Sequence, residues 1–460
     1  MRAALAVLGL WVFWLTGGAW AAEGQAVEGR RAGAPNVLLI VSDDHAWTDY
    51  GFMGHAQVRT PRLDRLAAES LTFTRGYVPS SLCCPSLASI LTGLPPHRHR
   101  VVCNDPPRPK GMPAAAYYAS AGYREGRERM ARFLEEVPTL PRLLAERGYL
   151  SFQSGKWWQG HYSRGGFTHG MTVGDEDRGG RHGDAGLEIG RRTLRPILEF
   201  MDEAGRQGRP WMVWYAPMMP HDPHTPPEEY LARYRSVAPS AAVARYWGMV
   251  EWFDATCGEL LDAVEARGLG RDTLVVYVAD NGWITDPATG RYAAKSKQSP
   301  YDGGLRTPIL VRWSGRVGPG RVDVPVSSLD LMPTILAAAG ASVPEGLPGV
   351  DLRESGLVRR RGGVSGACFT HDGVDLDRPS SGLRWRWRVE GRWKLIVPAP
   401  WSEPGAEVEL YDLERDPFER TNLAPTRGRR VRRMTGALDA WWRPEPGAVE
   451  GAEVSPGGRY

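Results

Sequence analysis

Three uninterrupted apolar runs constrain this chain more than any other feature. They are NVLLIV at residues 36–41, WMVWYA at 211–216 and TLVVYVA at 273–279. Each is β-branched or aromatic in character and too short for a buried helix. A strand that is apolar on both faces must be covered on both. Helical patterns fall between the runs: 61–70 with Pro61 at its start, 140–147 closed by Gly148, 187–204 and 241–267. A strand at 71–77 and a short one at 150–153 extend the series. Strands alternating with helices predict an α/β fold, a large and mostly parallel sheet flanked by helices. The C-terminal part differs. Residues 385–397 (WRWRVEGRWKLIV) alternate about a Glu390-Gly391 turn, 408–413 read as a strand and 427–442 as a helix. They predict a small antiparallel sheet with one helix.

The ends of the chain suggest an exported protein. Arg2, the apolar stretch 3–15 and Ala19-Trp20-Ala21 have the layout of a cleavable signal peptide, residues 1–21. A flexible leader (22–34), a main catalytic domain (35–360), a small C-terminal α+β subdomain (361–445) and a flexible tail (446–460) complete the expected plan. The expected location is the periplasm or the exterior, with no stable membrane anchor. A formal charge of +4 over 460 residues gives no case for a nucleic-acid partner. Five cysteines are an odd number for a disulfide framework outside the cytoplasm. At least one thiol is expected to be unpaired, reactive or modified. Cys83 and Cys84 draw the eye: they are adjacent, and Pro85 and Gly93 mark the start and stop of a short helix. A helix N-terminus favours an anion and lowers a thiol's pKa.

In parallel sheets ligands gather beyond the carboxyl ends of strands. Here those ends carry Asp43 and Asp44, Lys156, His221 and His224, and Asp280 and Asn281. Three clustered carboxylates repel unless a cation neutralises them, and a hard all-oxygen set suits Ca²⁺, with Mg²⁺ the alternative. Taken singly, the Asp-Asp and Asp-Asn pairs also fit simple turn caps. Two such pairs after two buried strands favour a metal.

The segment Cys83-Cys84-Pro85-Ser86-Leu87 with Leu91-Thr92-Gly93 resembles the signature of the formylglycine-dependent sulfatases of the alkaline phosphatase superfamily. PNVLLIVSDD, PTLPRLLAERGY, GKWW, MPHDPH, VVYVADNG, YDGGLRTP, LDLMPTIL and LYDLERDPFERTNLA look like landmarks of that family, in its order, across nearly the whole chain. The resemblance implies that a formylglycine-generating enzyme oxidises Cys83 to formylglycine, whose hydrate is the nucleophile. Asp43, Asp44, Asp280 and Asn281 would be the Ca²⁺ ligands, and Lys156 and Lys297 the sulfate-contacting lysines, with Lys295 a competitor for the second role. His221 would stand near the leaving oxygen, and either His221 or Lys297 would protonate it.

Two positions depart from the family pattern. Leu87 stands where the signature has arginine, and Trp158 where Gly-Lys-Trp-His has histidine. His161, His97 and His99 are candidates to compensate, and His224 to contact substrate. Arg164, Arg178, Arg181 and His182 in a Gly-rich loop, and Asn104 with a surface insertion at 103–128, are candidates to line the approach; Trp47, Trp157 and Trp158 are candidate sugar platforms. The implied function is hydrolysis of sulfate esters on a sulfated carbohydrate. The alternatives are a phosphonate or phosphate ester hydrolase on the same scaffold and a non-catalytic glycan-binding relative.

Overall fold

The structure is a computed structural model that describes residues 33–175 and 180–445. The export signal, nearly all of the leader, the tail 446–460 and Arg178 lie outside the described residues. Among the described residues nine strands form the main sheet: β1 (Asn36–Ser42), β2 (Leu71–Tyr77), β3 (Leu150–Gly155), β4 (His169–Gly170), β5 (Trp211–Ala216), β6 (Thr273–Ala279), β7 (Arg306–Arg312), β8 (Gly320–Val322) and β9 (Val326–Ser327). Their order is β4-β3-β5-β1-β6-β7-β2-β8, with β9 also on β2. From β4 to β6 all neighbours are parallel. β7 runs antiparallel to both β6 and β2, so the sheet is mixed rather than uniformly parallel.

β1 lies at the centre, with Leu39 opposite both Trp214 and Val276. Its side chains alternate between two cores: Val37, Leu39 and Val41 enter one, Leu38 and Ile40 the other. Burial on both faces therefore explains the unbroken apolar run. Helices Pro61–Ala68 and Ala241–Ala266 cover the second core through Leu63, Leu66, Met249, Phe253 and Leu260.

A four-stranded antiparallel sheet follows: β10 (Val364–Phe369), β11 (Leu383–Glu390), β12 (Trp393–Pro398) and β13 (Glu409–Asp412). The Glu390–Trp393 pairing closes the hairpin at the expected turn. Helix Gly428–Trp441 packs on it through Met434 and Leu438. The second sheet is joined to the first by Lys394, fully buried, whose Nζ lies 2.8 Å from both Asp302 Oδ1 and Glu419 Oε1.

Two local expectations change. The pattern at 187–204 becomes a helix only from Arg195, because Pro196 fits only a first turn. The insertion at 103–128 is partly helical: Ser120 caps a helix over Ala121–Glu135 by accepting from Tyr123 N. Among the described residues no helix is long and apolar enough to cross a membrane.

Candidate active site

The parallel order aims four strand ends the same way. Asp43 and Asp44 follow β1, Lys156 follows β3, His221 lies beyond β5, and Asp280 and Asn281 follow β6. The backbone holds these ends together. Asp43 N donates to Met219 O at 2.9 Å, which draws the Pro220-His221 segment against β1. Asp44 N and Asn281 N both donate to Asp280 Oδ1, at 3.1 and 2.7 Å. Asp44 itself takes a left-handed backbone conformation (φ 59°), which aspartate tolerates better than most residues.

Lys156 reaches the site because of the residue before it. Gly155 has φ +79°, and a Cβ there would sit 1.8 Å from Ala216 O. Lys297 arrives on a loop that passes close over Gly303 and Gly304, where a Cβ would lie 2.2 Å from the carbonyl oxygens of Lys295 and Ser296 respectively. Gln298 N donates to Ser81 O at 2.9 Å, tying that loop to the approach to Cys83.

Ligand atoms of Asp43, Asp44, Cys83 and His221 all lie within 4.8 Å of one another. Lys156 Nζ is 2.7 Å from Asp43 Oδ1, and Lys297 Nζ 2.7 Å from Asp44 Oδ2. Burial raises the carboxyls of Asp43 and Asp280. Asp44 is pushed up by burial but pulled further down by Lys297, His221 and Lys156, to well below the usual carboxylate range. Burial also works against the two ammonium groups, yet the neighbouring carboxylates, Asp43 for Lys156 and Asp44 for Lys297 foremost, outweigh it and hold both lysines protonated. His221 is depressed to about 3, chiefly by burial. Its Nδ1–H donates to Asp222 O at 2.6 Å, so Nε2 presents a lone pair to Lys297 Nζ at 3.4 Å.

A metal fits this donor set. Asn281 Nδ2 is committed to Asp44 Oδ1 (2.6 Å) and Gly282 O (3.2 Å), which turns Oδ1 into an acceptor. That Oδ1 and Asp280 Oδ2 are buried and have no hydrogen-bond partner among the described residues. Orphaned buried oxygens beside three carboxylates are what a hard cation would satisfy.

Cys83 is the first residue of helix Cys83–Thr92, whose ten residues are all buried; Gly93 closes it in a left-handed conformation. The expected lowering of the thiol pKa does not occur. Burial pushes Cys83 up to about 12 and Cys84 to about 11, against the pull of Lys156 and Lys297 on Cys83 and of Arg127 on Cys84. Unmodified Cys83 is thus a neutral thiol at pH 7 and a poor nucleophile. All five cysteines are free and buried.

The other candidates separate. Lys295 does not enter the cluster; its Nζ donates to Glu419 O and lies over the Tyr301 ring. His97 stacks on Trp442 at 4.5 Å, and His99 is buried against Ser89 Oγ at 2.9 Å. Both belong to helix packing, so neither replaces the missing histidine. His161 bonds Ser163 and lines a pocket beside the site. His224 packs on Tyr246 and Trp283, its Nε2 buried without a partner among the described residues. Asn104 caps the Cys83 helix, its Oδ1 accepting from Cys84 N at 2.9 Å, rather than lining an approach. Trp157 is buried in the core against Phe167 and offers no face to a sugar, and Arg306 covers Trp47 at 3.9 Å. Leu87 packs in the same core, so no charge takes the signature arginine's place there.

The Trp158 indole is surrounded by cations: Arg181 at 5.0 Å, Arg127 at 5.3 Å and Lys156 Nζ at 5.8 Å from the ring centre. The His182 ring meets it edge-on at 4.7 Å, and His182 O accepts from Trp157 N at 2.8 Å. Arg127 and the His182 contact carry no local sequence signal; they come from segments more than twenty residues away on either side.

The sulfatase family model matches residues 35–341. The chain belongs to the sulfatase family. It is therefore placed among the sulfuric ester hydrolases. A second model, N-sulphoglucosamine sulphohydrolase C-terminal, matches residues 290–435 of this sulfatase. Arylsulfatase A from Homo sapiens is 32% identical over 371 residues, 69% of this chain and 67% of that protein. N-acetylgalactosamine-6-sulfatase from Homo sapiens is 29% identical over 448 residues, 85% and 81% of the two chains. Among solved structures, Ps i-CgsB superposes with a TM-score of 0.69 at 23% identity, covering 90% of this chain and 94% of that one. Ps i-CgsB has also been solved in complex with k-i-k-neocarrahexaose.

Proposed function

We propose that this sulfatase hydrolyses sulfate esters of carbohydrate, with formylglycine made from Cys83 as nucleophile and Ca²⁺ bound by Asp43, Asp44, Asp280 and Asn281. The observation that carries the reading is the buried cluster of Asp43, Asp44, Cys83 and His221 clamped by two lysines. The hydrate of formylglycine supplies two hydroxyls on one carbon, one to attack sulfur and one to expel sulfate by restoring the carbonyl. The cation supplies positive charge opposite the transferring group. Lys156 and Lys297 add fixed charges, preorganised by the carboxylates beside them. Lys297 is the better proton donor to the leaving oxygen: it is held protonated, whereas His221 is held neutral with Nε2 facing Lys297. His221 then orients that ammonium by accepting from it through Nε2, and Lys297 regains its proton from solvent once sulfate has left.

A carbohydrate substrate is supported by the relatives' printed names and by a basic, aromatic surface beside the cluster. Export through the signal at 1–21 and maturation by a formylglycine-generating enzyme belong to the same proposal. The test is peptide mass spectrometry on protein from its native host, or from a host supplying the maturation enzyme. The peptide Gly76–Arg98 should have lost the Cys83 sulfur and gained an aldehyde. Paired sulfate and phosphate esters of one alcohol should then show preference for sulfate. An intact thiol in folded, Ca²⁺-loaded protein overturns the formylglycine mechanism; preference for phosphate overturns the sulfatase activity.

A further inference from the structure

Next to the catalytic cluster lies a pocket of about 470 Å³, lined in part by Trp158, whose ring centre is 5.8 Å from Lys156 Nζ. That size lies within the range of small-molecule clefts. Its walls come from helix Ala121–Glu135, the stretch from Trp158 to Arg164, and Val173, Gly174, Gly180 and Arg181. Its charge is lopsided. Among the described residues that line it, Arg124, Arg127, Arg164 and Arg181 face a single carboxylate, Glu128. Two of these arginines are neutralised: Arg164 by Glu128 and Glu135, Arg181 by Asp105.

Arg127 and Arg124 form no ion pair among the described residues, although Arg127 is near enough to Asp105 to help hold that carboxyl down. Arg127 is half-buried and donates to two backbone carbonyls, Asn104 O at 2.8 Å and Trp158 O. Arg124 stands exposed at the rim and donates to Ala119 O at 2.9 Å. Among the described residues neither has a carboxylate within ion-pair reach. Carbonyl acceptors fix the direction of a guanidinium without cancelling its charge. The two carbonyls take one donor from each terminal nitrogen of Arg127 and Cys84 lies beside it, which leaves further N–H donors for an anion. The Trp158 indole is flanked by Arg127 and by Lys156, so one ring separates this charge from a lysine of the catalytic cluster.

We propose that this pocket is a second anion subsite, taking a carboxylate or a further sulfate on the substrate's sugar chain, with Arg127 as principal contact and Arg124 at the rim. The proposal rests on the sulfate-ester reading of the neighbouring cluster. Substrates would then be acidic oligosaccharides bearing at least two anionic groups, and a lone monosulfated sugar would bind weakly.

The test uses Cys83→Ala protein, which leaves the ester uncut, and calorimetric titration with three disaccharides. Each contains N-acetylgalactosamine 6-sulfate joined to a second sugar: glucuronic acid, the same residue reduced to glucose, or glucose carrying a sulfate. Binding of the reduced probe should be at least tenfold weaker than that of one anionic probe. Whichever anionic probe binds more tightly names the natural group. Arg127→Gln in the same background should erase that difference. Arg124→Ala, at an exposed position that leaves the fold intact, should reduce it severalfold. Equal binding of all three probes overturns the proposal, as does a preference unchanged in both arginine variants. Sulfate release by the unsubstituted protein is measured separately. Release without a charge preference sinks the subsite alone; a charge preference without release sinks the sulfatase reading and leaves the anion site standing.

Discussion

Lys297 and Asp280 sit on opposite sides of the same electrostatic problem, and each makes a distinct prediction. Lys297 Nζ is 2.7 Å from Asp44 Oδ2 and faces the Nε2 lone pair of His221, so it is both a fixed charge and a proton source. Lys297→Ala should lower kcat roughly 10²–10³-fold, the cost of one preorganised group that acts on charge developing in the transition state, with a smaller change in KM. Steady-state sulfate release, with circular dichroism to confirm folding, checks it. An equal loss confined to KM would assign Lys297 to ground-state binding instead. Asp280 is different because its Oδ2 is buried without a hydrogen-bond partner among the described residues. Ca²⁺ at a hundred times its dissociation constant should stabilise the folded protein by about 2.7 kcal/mol, and a chelator should reverse both that gain and the activity. In Asp280→Ala the melting temperature should no longer respond to Ca²⁺. A response retained in that variant would remove Asp280 from the ligand set.

At the scale of elements, the strand ends deliver the chemistry and the residues flanking them set its accuracy. Gly155 closes β3 at φ +79° with Ala216 O where a side chain would be. Gly155→Ala should therefore cost about 3 kcal/mol or more, through strain and backbone clash together, and displace Lys156. Chemical denaturation checks the stability. A soluble variant should also lose activity out of proportion to its stability. This junction was legible in the sequence for a simple reason. NVLLIV, WMVWYA and TLVVYVA are buried on both faces, so their apolar runs stand out, and parallel neighbours necessarily present their following residues on one side. Other elements gave weaker signals. Gly122 and Gly126 interrupt the helical pattern of Ala121–Glu135, whose buried face (Tyr123, Met130, Phe133, Leu134) shows only once its partners are known. RTPILVR reads the same whichever way β7 runs, and its antiparallel direction follows from the connection, not the composition. Lys297 and Lys295 both precede the YDGG turn; only the close passage over Gly303 and Gly304 decides which of them reaches Asp44. At Cys83 the helix N-terminus is visible in the sequence, but the burial that outweighs its pull on the thiol is a property of the packed core.

At the scale of the whole molecule, the C-terminal sheet shares an apolar core with the catalytic sheet, Trp387 packing on Tyr77, and a buried charge adds a polar lock. Lys394 on β12 lies between Asp302 and Glu419, and all three are fully or nearly fully buried. Asp302 begins the short helix before β7, and its backbone N–H donates to Glu419 Oε2 at 2.7 Å. The same segment supports the loop that carries Lys297, so the lock acts on the active site as well as on the fold. Lys394→Met leaves buried Glu419 without its cation and Asp302 with only Arg306 at 3.7 Å, and should destabilise by about 3–5 kcal/mol. Glu419 gives this lock a pH dependence with a definite sign. Burial, and then the repulsion of Asp302, raise its carboxyl from 4.5 to about 7 against the pull of Lys394. The folded protein thus holds a proton that the unfolded chain has released. The corresponding stability is fully present below pH 4.5 and is lost as the pH rises through about 7. Glu419→Gln cannot titrate. The stability of the unsubstituted protein relative to Glu419→Gln should therefore fall between pH 4.5 and 7 and then level off. Urea denaturation of both proteins at half-unit pH intervals measures it. A difference that instead grows with pH would mean that Lys394 dominates and holds Glu419 ionised, making the lock a simple ion pair rather than a proton-sharing one.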